Sequence, residues 1–307
     1  MKAETNVAEL PRDLGALGTL DRARAYLALT KPRIIELLLV TTVPTMFVAA
    51  RHLPSARLVV LTVVGGALAA GGANAMNMVY DRDIDALMER TKHRPLVTGA
   101  VAVRGAVTFA AALEVVSFLL LWLTVNLLSA VLAVAAAAFY VLVYTMWLKR
   151  SSSQNIVIGG AAGAVPVLVG WSAVTGHLGL APLVMFGVIF LWTPPHFWAL
   201  AVRYRDDYAN AHVPMLPTTR PIAAVVRQIV LYTGALWAVS ALLAPVAHLG
   251  LAFFVASMVL GAAFFIRALA LRADPTPRRA MRLFGFSITY LTLLFAAMGV
   301  AAVVAHP

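Results

Sequence analysis

Residues 77–99 read NMVYDRDIDALMERTKHRPLVTG. They follow directly on an apolar run long enough to cross a membrane, and they hold four of the chain's 13 carboxylates. Asn77, Asp81 and Asp85 are spaced four apart, so on a helix of 3.6 residues per turn they line one face over roughly 12 Å. That face is an oxygen-rich stripe, which suits a hard divalent cation such as magnesium together with the oxygens of a bound phosphate. Asp83 falls on the opposite face. Arg90, Lys92, Arg94 and, across a loop, Arg104 follow within a few turns, placing phosphate-binding groups beside metal-binding ones. A charged loop after a membrane helix is more often a solvated turn. The regular spacing, the scarcity of acids elsewhere and a second acidic loop argue against that reading here.

The rest of the chain is built to stay in lipid. Of 307 residues 62% are hydrophobic and only 12% charged, about half the charged share of a soluble domain. The absence of cysteine excludes disulfides, thiolate metal sites and cysteine nucleophiles. Residues 1–20 contain Glu4, Glu9 and Asp13 and no apolar core, unlike a cleavable signal or a mitochondrial transit peptide. They are expected to form a disordered tail ahead of a single membrane domain over 21–307. Asp21–Arg33 is expected to be a short interfacial helix with Arg22, Arg24, Lys31 and Arg33 at the headgroups. Nine apolar spans follow, at about 34–50, 58–79, 105–123, 128–147, 156–174, 181–202, 222–246, 251–270 and 284–304, each near the length needed to cross the hydrocarbon core.

Sorting the basic residues tests that count. With the N-terminus inside, every Lys and Arg except Arg51 and Arg57 falls on the inner side, as the positive-inside rule requires. The net charge of +11 therefore reflects topology rather than nucleic-acid binding. The expected setting is a bacterial inner membrane, with the C-terminus external. Acids contribute little to orientation, yet Asp81, Asp83, Asp85, Glu89, Asp206 and Asp207 all lie in two inner loops. These loops follow spans two and six, and each ends in a proline-rich exit, RPLVTG at 94–99 and PMLPTT at 214–219. The pattern reads as a weak repeat of four-helix units whose acidic loops converge over a central cavity. Glu36 and Glu114 are the acids within spans. His52, His177, His248 and His306 read as outer loop or interface residues, and His93, His196 and His212 lie on the inner half. Pro194 and Pro195 are expected to break the sixth span just before His196 and free backbone groups near a cavity.

These residues carry a resemblance. NMVYDRDIDALMERTKHRP, YTMWLKR at 144–150, GAVPVLVGW at 163–171 and the second acidic loop resemble the UbiA superfamily of membrane prenyltransferases, over about residues 25–300. LTKPRI at 29–34, DRDIDALMERTKHRPL at 81–96, WTPPHFWALA at 192–201 and DDYANAHVPMLP at 206–217 are similar to the branch that prenylates haem. The resemblance implies an all-α fold of nine transmembrane helices around a central cavity, with two aspartate-rich motifs holding Mg2+ and an allylic diphosphate. It implies transfer of the farnesyl group of farnesyl diphosphate to a vinyl group of haem b, with water addition and diphosphate release, giving haem O.

On that resemblance Asn77, Asp81, Asp85, Asp206 and Asp207 are the metal candidates. Asn77, Asp81, Asp85, Arg90, Arg94 and His196 are the catalytic ones. Lys31, Arg33, Lys92, Tyr144, Lys149, Tyr204 and Tyr208 are assigned to substrate. Tyr204 and Tyr208 stand in the register where many relatives carry the second pair of aspartates, and His212 stands where the branch carries glycine. His196 would orient the porphyrin, ligate its iron or relay a proton. Haem b enters as substrate rather than cofactor, the lipid bilayer surrounds both substrates, and haem A synthase or oxidase assembly proteins are the implied partners. Two other readings stay open: a prenyltransferase acting on a quinone precursor or chlorin, and a secondary transporter. The acids lie at the membrane edge rather than at the midplane where transporter sites are found.

Overall fold

The computed structural model describes residues 18–304, with the side chains of residues 33–39 outside that description. The expectations for the first 17 residues and for Arg33, Glu36 and His306 fall outside the described residues. Within them the chain is helical, without a strand. The amphipathic α1 (Thr19–Leu29) leads into α2 (Pro32–Ala50), α3 (Ala56–Leu87) and α4 (Val103–Thr124). One continuous span, Leu127–Ser151, is made of α5 (Leu127–Ala138), a π-helical stretch (Phe139–Leu148) and the short α6 (Lys149–Ser151). Then come α7 (Asn155–Thr175), α8 (Leu180–Arg203), the two short helices α9 (Arg205–Asn210) and α10 (Leu216–Thr219), α11 (Ile222–Val246), α12 (Gly250–Ala273) and α13 (Pro277–Val304).

Eight of these helices are long and apolar enough to cross a membrane. With α2, whose apolar described part is Val40–Ala50, they fall on the nine stretches read from the sequence. The chain is a multi-pass membrane protein. Its helices overshoot the hydropathy-defined spans on the side that carries the acidic loops. At 32 residues, α3 is about 48 Å long, well beyond a hydrocarbon core of about 30 Å. The motif from Asn77 to Asp85 is therefore the end of a membrane helix and not a loop.

With no hydrophobic drive between helices in lipid, packing rests on close approach and on interhelical hydrogen bonds. At Gly170 of α7, a Cβ would lie 2.7 Å from the Thr42 carbonyl of α2, so only glycine allows that crossing. Ser129 and Ser172 join α5 to α7 through their hydroxyls at 2.8 Å. Ser240 and Tyr290 join α11 to α13 at 2.7 Å. The indole of Trp192 on α8 donates to the Ser287 carbonyl of α13 at 2.8 Å.

The sixth span does not break. Pro194 and Pro195 sit inside a continuous α8 and are buried. Each proline removes one backbone donor, but α8 is held on three sides by α7, α11 and α13, and such support lets a membrane helix run through proline.

Gly170→Ala is expected to lower stability by about 1–3 kcal/mol through overpacking against the α2 backbone. Gly163→Ala, where a Cβ meets nothing within 4 Å, is expected to cause no loss. Thermal unfolding of the two variants in one detergent checks the pair.

Candidate active site at the motif-bearing end of the bundle

The last turns of α3 carry the oxygen stripe into the protein interior. Asn77, Asp81 and Asp85 are 2%, 0% and 2% exposed. Carboxylates so far from water need compensating charge, and each stripe residue receives a basic side chain from a different segment. Lys31 Nζ donates to Asn77 Oδ1 at 2.6 Å. Lys149 pairs with Asp81. Arg94 Nη1 pairs with Asp85 Oδ2 at 2.6 Å. Asp83, on the opposite face, is gripped at the surface by Arg150 through two bonds of 2.8 and 2.7 Å.

Local structure explains how those bases arrive. After Leu87 the chain leaves the helix, and the Thr91 hydroxyl caps it by donating to the Asp85 carbonyl at 3.1 Å. That turn folds MERTKHRP back on α3 and brings Arg94 to Asp85. Lys31 lies between α1 and α2 in the left-handed region, at φ 52° and ψ 63°, a strained place for a residue with a Cβ. The turn is pinned by Asn74, whose amide donates to the Thr30 carbonyl at 3.0 Å. Lys31, expected at the headgroups and, on the resemblance, among the substrate-binding residues, has its ammonium beside Asn77 and not at the headgroups. Burial, aided by Arg94 and Lys149, lowers the Lys31 pKa to about 7, against an upward pull from Asp81 and Asp85.

The π-helical stretch supplies the opposite wall. The Thr145 hydroxyl donates to the Tyr140 carbonyl five residues back at 2.9 Å and accepts from Asn77 Nδ2 at 3.0 Å. Asn77 Nδ2 also donates to Asp81 Oδ2 at 2.7 Å. Tyr144 stacks on Tyr140, with ring centroids 5.3 Å apart. Its ring occupies space that any Cβ at Gly159 of α7 would claim.

The second loop meets this cluster through tyrosine. Tyr204 and Tyr208 lie four apart and face inward, half-buried and buried. Burial raises the Tyr208 phenol, against the lowering pull of Arg90, which lies within hydrogen-bonding reach, and of Arg94. Asp206 turns to solvent and Asp207 is half-buried near Tyr208. Lys92 pairs at the surface with Glu89 at 2.6 Å. His212 is exposed at φ 54°, the backbone conformation glycine adopts most easily, and it takes no part in the cluster.

His196 stands apart, on the face of α8 toward α13. Its ring is sandwiched between Trp192 and Phe284, with centroids at 4.2 and 4.5 Å. Its Nδ1 lies 2.7 Å from Ser287 Oγ, and that hydroxyl donates to the Phe284 carbonyl at 2.6 Å. With the hydroxyl hydrogen spent, Nδ1 must carry the proton and donate. Nε2 is left as the free acceptor, with no protein partner among the described residues.

The cluster fits a divalent cation. Asp81 Oδ1 is buried with no hydrogen-bond partner, a costly state unless a ligand meets it. The donor set of one amide and two carboxylates is the hard oxygen type that magnesium takes. The second loop adds no third buried carboxylate. Among the described residues no three of His, Cys, Asp and Glu are gathered at one point.

Residues 38–304 match the model of the UbiA prenyltransferase family. The chain belongs to that family. It is 54% identical to the protoheme IX farnesyltransferase of Parafrankia sp. over 95% of this chain and 94% of that protein. It is equally close to the protoheme IX farnesyltransferase of Frankia alni, over 92% and 99% of the two chains. A UbiA homologue from Archaeoglobus fulgidus, solved with DMAPP and Mg2+, superposes with a TM-score of 0.68 at 19% identity, covering 91% of this chain and 99% of that one. At that identity the likeness establishes the shared fold alone.

Sequence reasoning within this family found the stripe and most of its bases. It missed Thr145, Ser287 and Asn155, the last fully buried with neither amide atom partnered. Thr145 lies inside the quoted YTMWLKR segment, so its spacing from Lys149 was available as a signal. Ser287 carries none, because its partner is 91 residues away.

Asp81→Asn and Asp85→Asn are expected to lower turnover by about 100-fold or more, the scale of losing one charge-stabilising group, with membrane insertion retained and the thermal midpoint lowered because Lys149 or Arg94 is left without its counter-charge. Ser287→Ala is expected to release the His196 tautomer and to reduce use of the acceptor while leaving Mg2+ and diphosphate binding unchanged. Separate titrations of acceptor and diphosphate check it.

Proposed function

We propose that this protein farnesylates haem b. The C1–O bond of farnesyl diphosphate breaks, a carbon–carbon bond forms to a haem vinyl group, water adds as hydroxyl, and diphosphate and a proton leave, giving haem O. The observation that carries the diphosphate half is the buried Asn77–Asp81–Asp85 stripe with its three incoming bases. The acceptor half is supported by the names of relatives above 50% identity across nearly their whole length, and by a histidine with one fixed and one free ring nitrogen. Membership in a group-transfer family argues against the transporter reading.

In this reading Asn77, Asp81 and Asp85 would hold magnesium, the unpartnered Asp81 Oδ1 among the donors, with the half-buried Asp207 a further candidate from the second loop. When bound, the metal supplies positive charge against which diphosphate can leave. Lys31, Lys149, Arg90 and Arg94 receive the diphosphate oxygens. An anion of that charge beside Lys31 also keeps its ammonium protonated. Tyr144, Tyr204 and Tyr208 present aromatic rings toward the allylic group, where they can stabilise positive charge and exclude water until the vinyl carbon attacks. Lys92 extends the basic rim. His196 offers Nε2 to the porphyrin, either to its iron or to the proton released. The basic side of the bundle faces the cytoplasm of a bacterial cell, with the N-terminus inside and the C-terminus outside.

Purified full-length protein given labelled farnesyl diphosphate, Mg2+ and haem b is expected to yield farnesylated, hydroxylated haem and diphosphate in equal amounts, and to stop when the metal is chelated. Unreacted haem alongside turnover of a quinone precursor would replace the acceptor but keep the stripe.

A further inference from the structure

A cavity of about 460 Å3 opens on the Lys/Arg-rich side of the bundle, between the start of α7, the α8 helix and the α10–α11 corner. Arg220 and Arg227 line it together with Gln154, Gln228, Trp198 and Tyr232. It lies across α8 from the His196 pocket: Trp198 meets Tyr232 of α11 edge to face at 5.4 Å, whereas His196 faces α13. Two features mark it as a ligand site. Trp198 is 1% exposed, and its indole N–H has no hydrogen-bond partner. Neither guanidinium pairs with a carboxylate among the described residues, unlike those of Arg94 and Arg150 on the same face, so both are available to an incoming anion.

The surroundings select the ligand. Arg227 stands at the basic end of an exposed stripe on α11 formed by Leu231, Ala235, Ala238 and Leu242. In a membrane helix such a stripe lies against acyl chains. A molecule with its anionic group between the arginines and apolar chains along that stripe is a phospholipid, and basic pockets between helices at this membrane face are where acidic headgroups bind. We propose that the cavity holds the headgroup of an anionic phospholipid. Its phosphate oxygens meet Arg220 and Arg227, its headgroup hydroxyls meet Gln154 and Gln228, and the Trp198 N–H donates to the oxygen that enters deepest. The site is independent of the transfer reaction.

The test uses the full chain in phosphatidylcholine nanodiscs into which phosphatidylglycerol is titrated, with bound lipid counted by native mass spectrometry and the thermal midpoint followed. Wild type is expected to retain phosphatidylglycerol selectively and to unfold at higher temperature as it is added. Arg220→Gln with Arg227→Gln is expected to bind it about 30-fold more weakly, from about 1 kcal/mol per basic residue, and Trp198→Phe to bind it several-fold more weakly. Should the double variant not assemble, Arg227→Gln alone, at an exposed position, is expected to weaken binding about 5-fold. Equal retention by wild type and variants overturns the proposal. So does displacement by inorganic phosphate at concentrations near the lipid's, which would make this a soluble-anion site. Displacement by haem b would likewise overturn it, by making the cavity part of the acceptor path.

Discussion

Negative charge cannot be held deep at a membrane edge without positive charge beside it, and the functional end of this protein is arranged around that constraint. Asp81 and Asp85 are almost completely removed from water, and the bases that make this tolerable come from the α1–α2 turn, the loop after α3 and the end of the π-helical span. Each base must be delivered at the right height by its own element. The strained Lys31 turn, the cap by Thr91 and the irregular fourth span all serve that delivery. Removing one partner of a buried pair leaves an uncompensated charge, which is more damaging than never having had the pair. The cluster therefore stands or falls as a unit.

The membrane architecture was legible from residue type alone. Hydropathy located the spans to within a few residues at most ends, because lipid requires every backbone group to be satisfied within the helix. The stripe was legible too, since four-residue spacing keeps side chains on one face. What hydropathy could not show is how far a helix extends beyond its apolar residues, past the end of the span in α3 and ahead of its start in α13. The proline pair misled for a related reason. Local chemistry argues for a break at Pro194 and Pro195, and packing against three neighbouring helices overrides it. Lys31 was marked for the site only by the resemblance, because a lysine beside an interfacial helix normally reaches for headgroups. Only the tertiary position of Asn77 and Asn74 shows why this one turns inward.

The second loop shows a different limit. Its acids were visible, but acid content does not give direction. On the short α9, two residues of separation turn Asp206 away from the face that Tyr204 and Tyr208 present. Tyr208 therefore occupies the inner position, beside Arg90 and Arg94. The two loops do come together, through a phenol and a guanidinium rather than through two sets of carboxylates.

The fourth span reaches Asp81 only because its middle is wound five residues to the hydrogen bond, a geometry common at functional sites. Ordinary α-helical winding advances about 100° per residue. Loss of a single residue anywhere from Phe139 to Leu148 would rotate everything beyond it by about that angle and carry Lys149 away from its carboxylate. Substitutions among these apolar side chains leave that phase intact. The stretch is therefore fixed in length, with no loop between it and Lys149 to absorb an insertion or deletion, and its composition can vary only away from Tyr140, Tyr144 and Thr145.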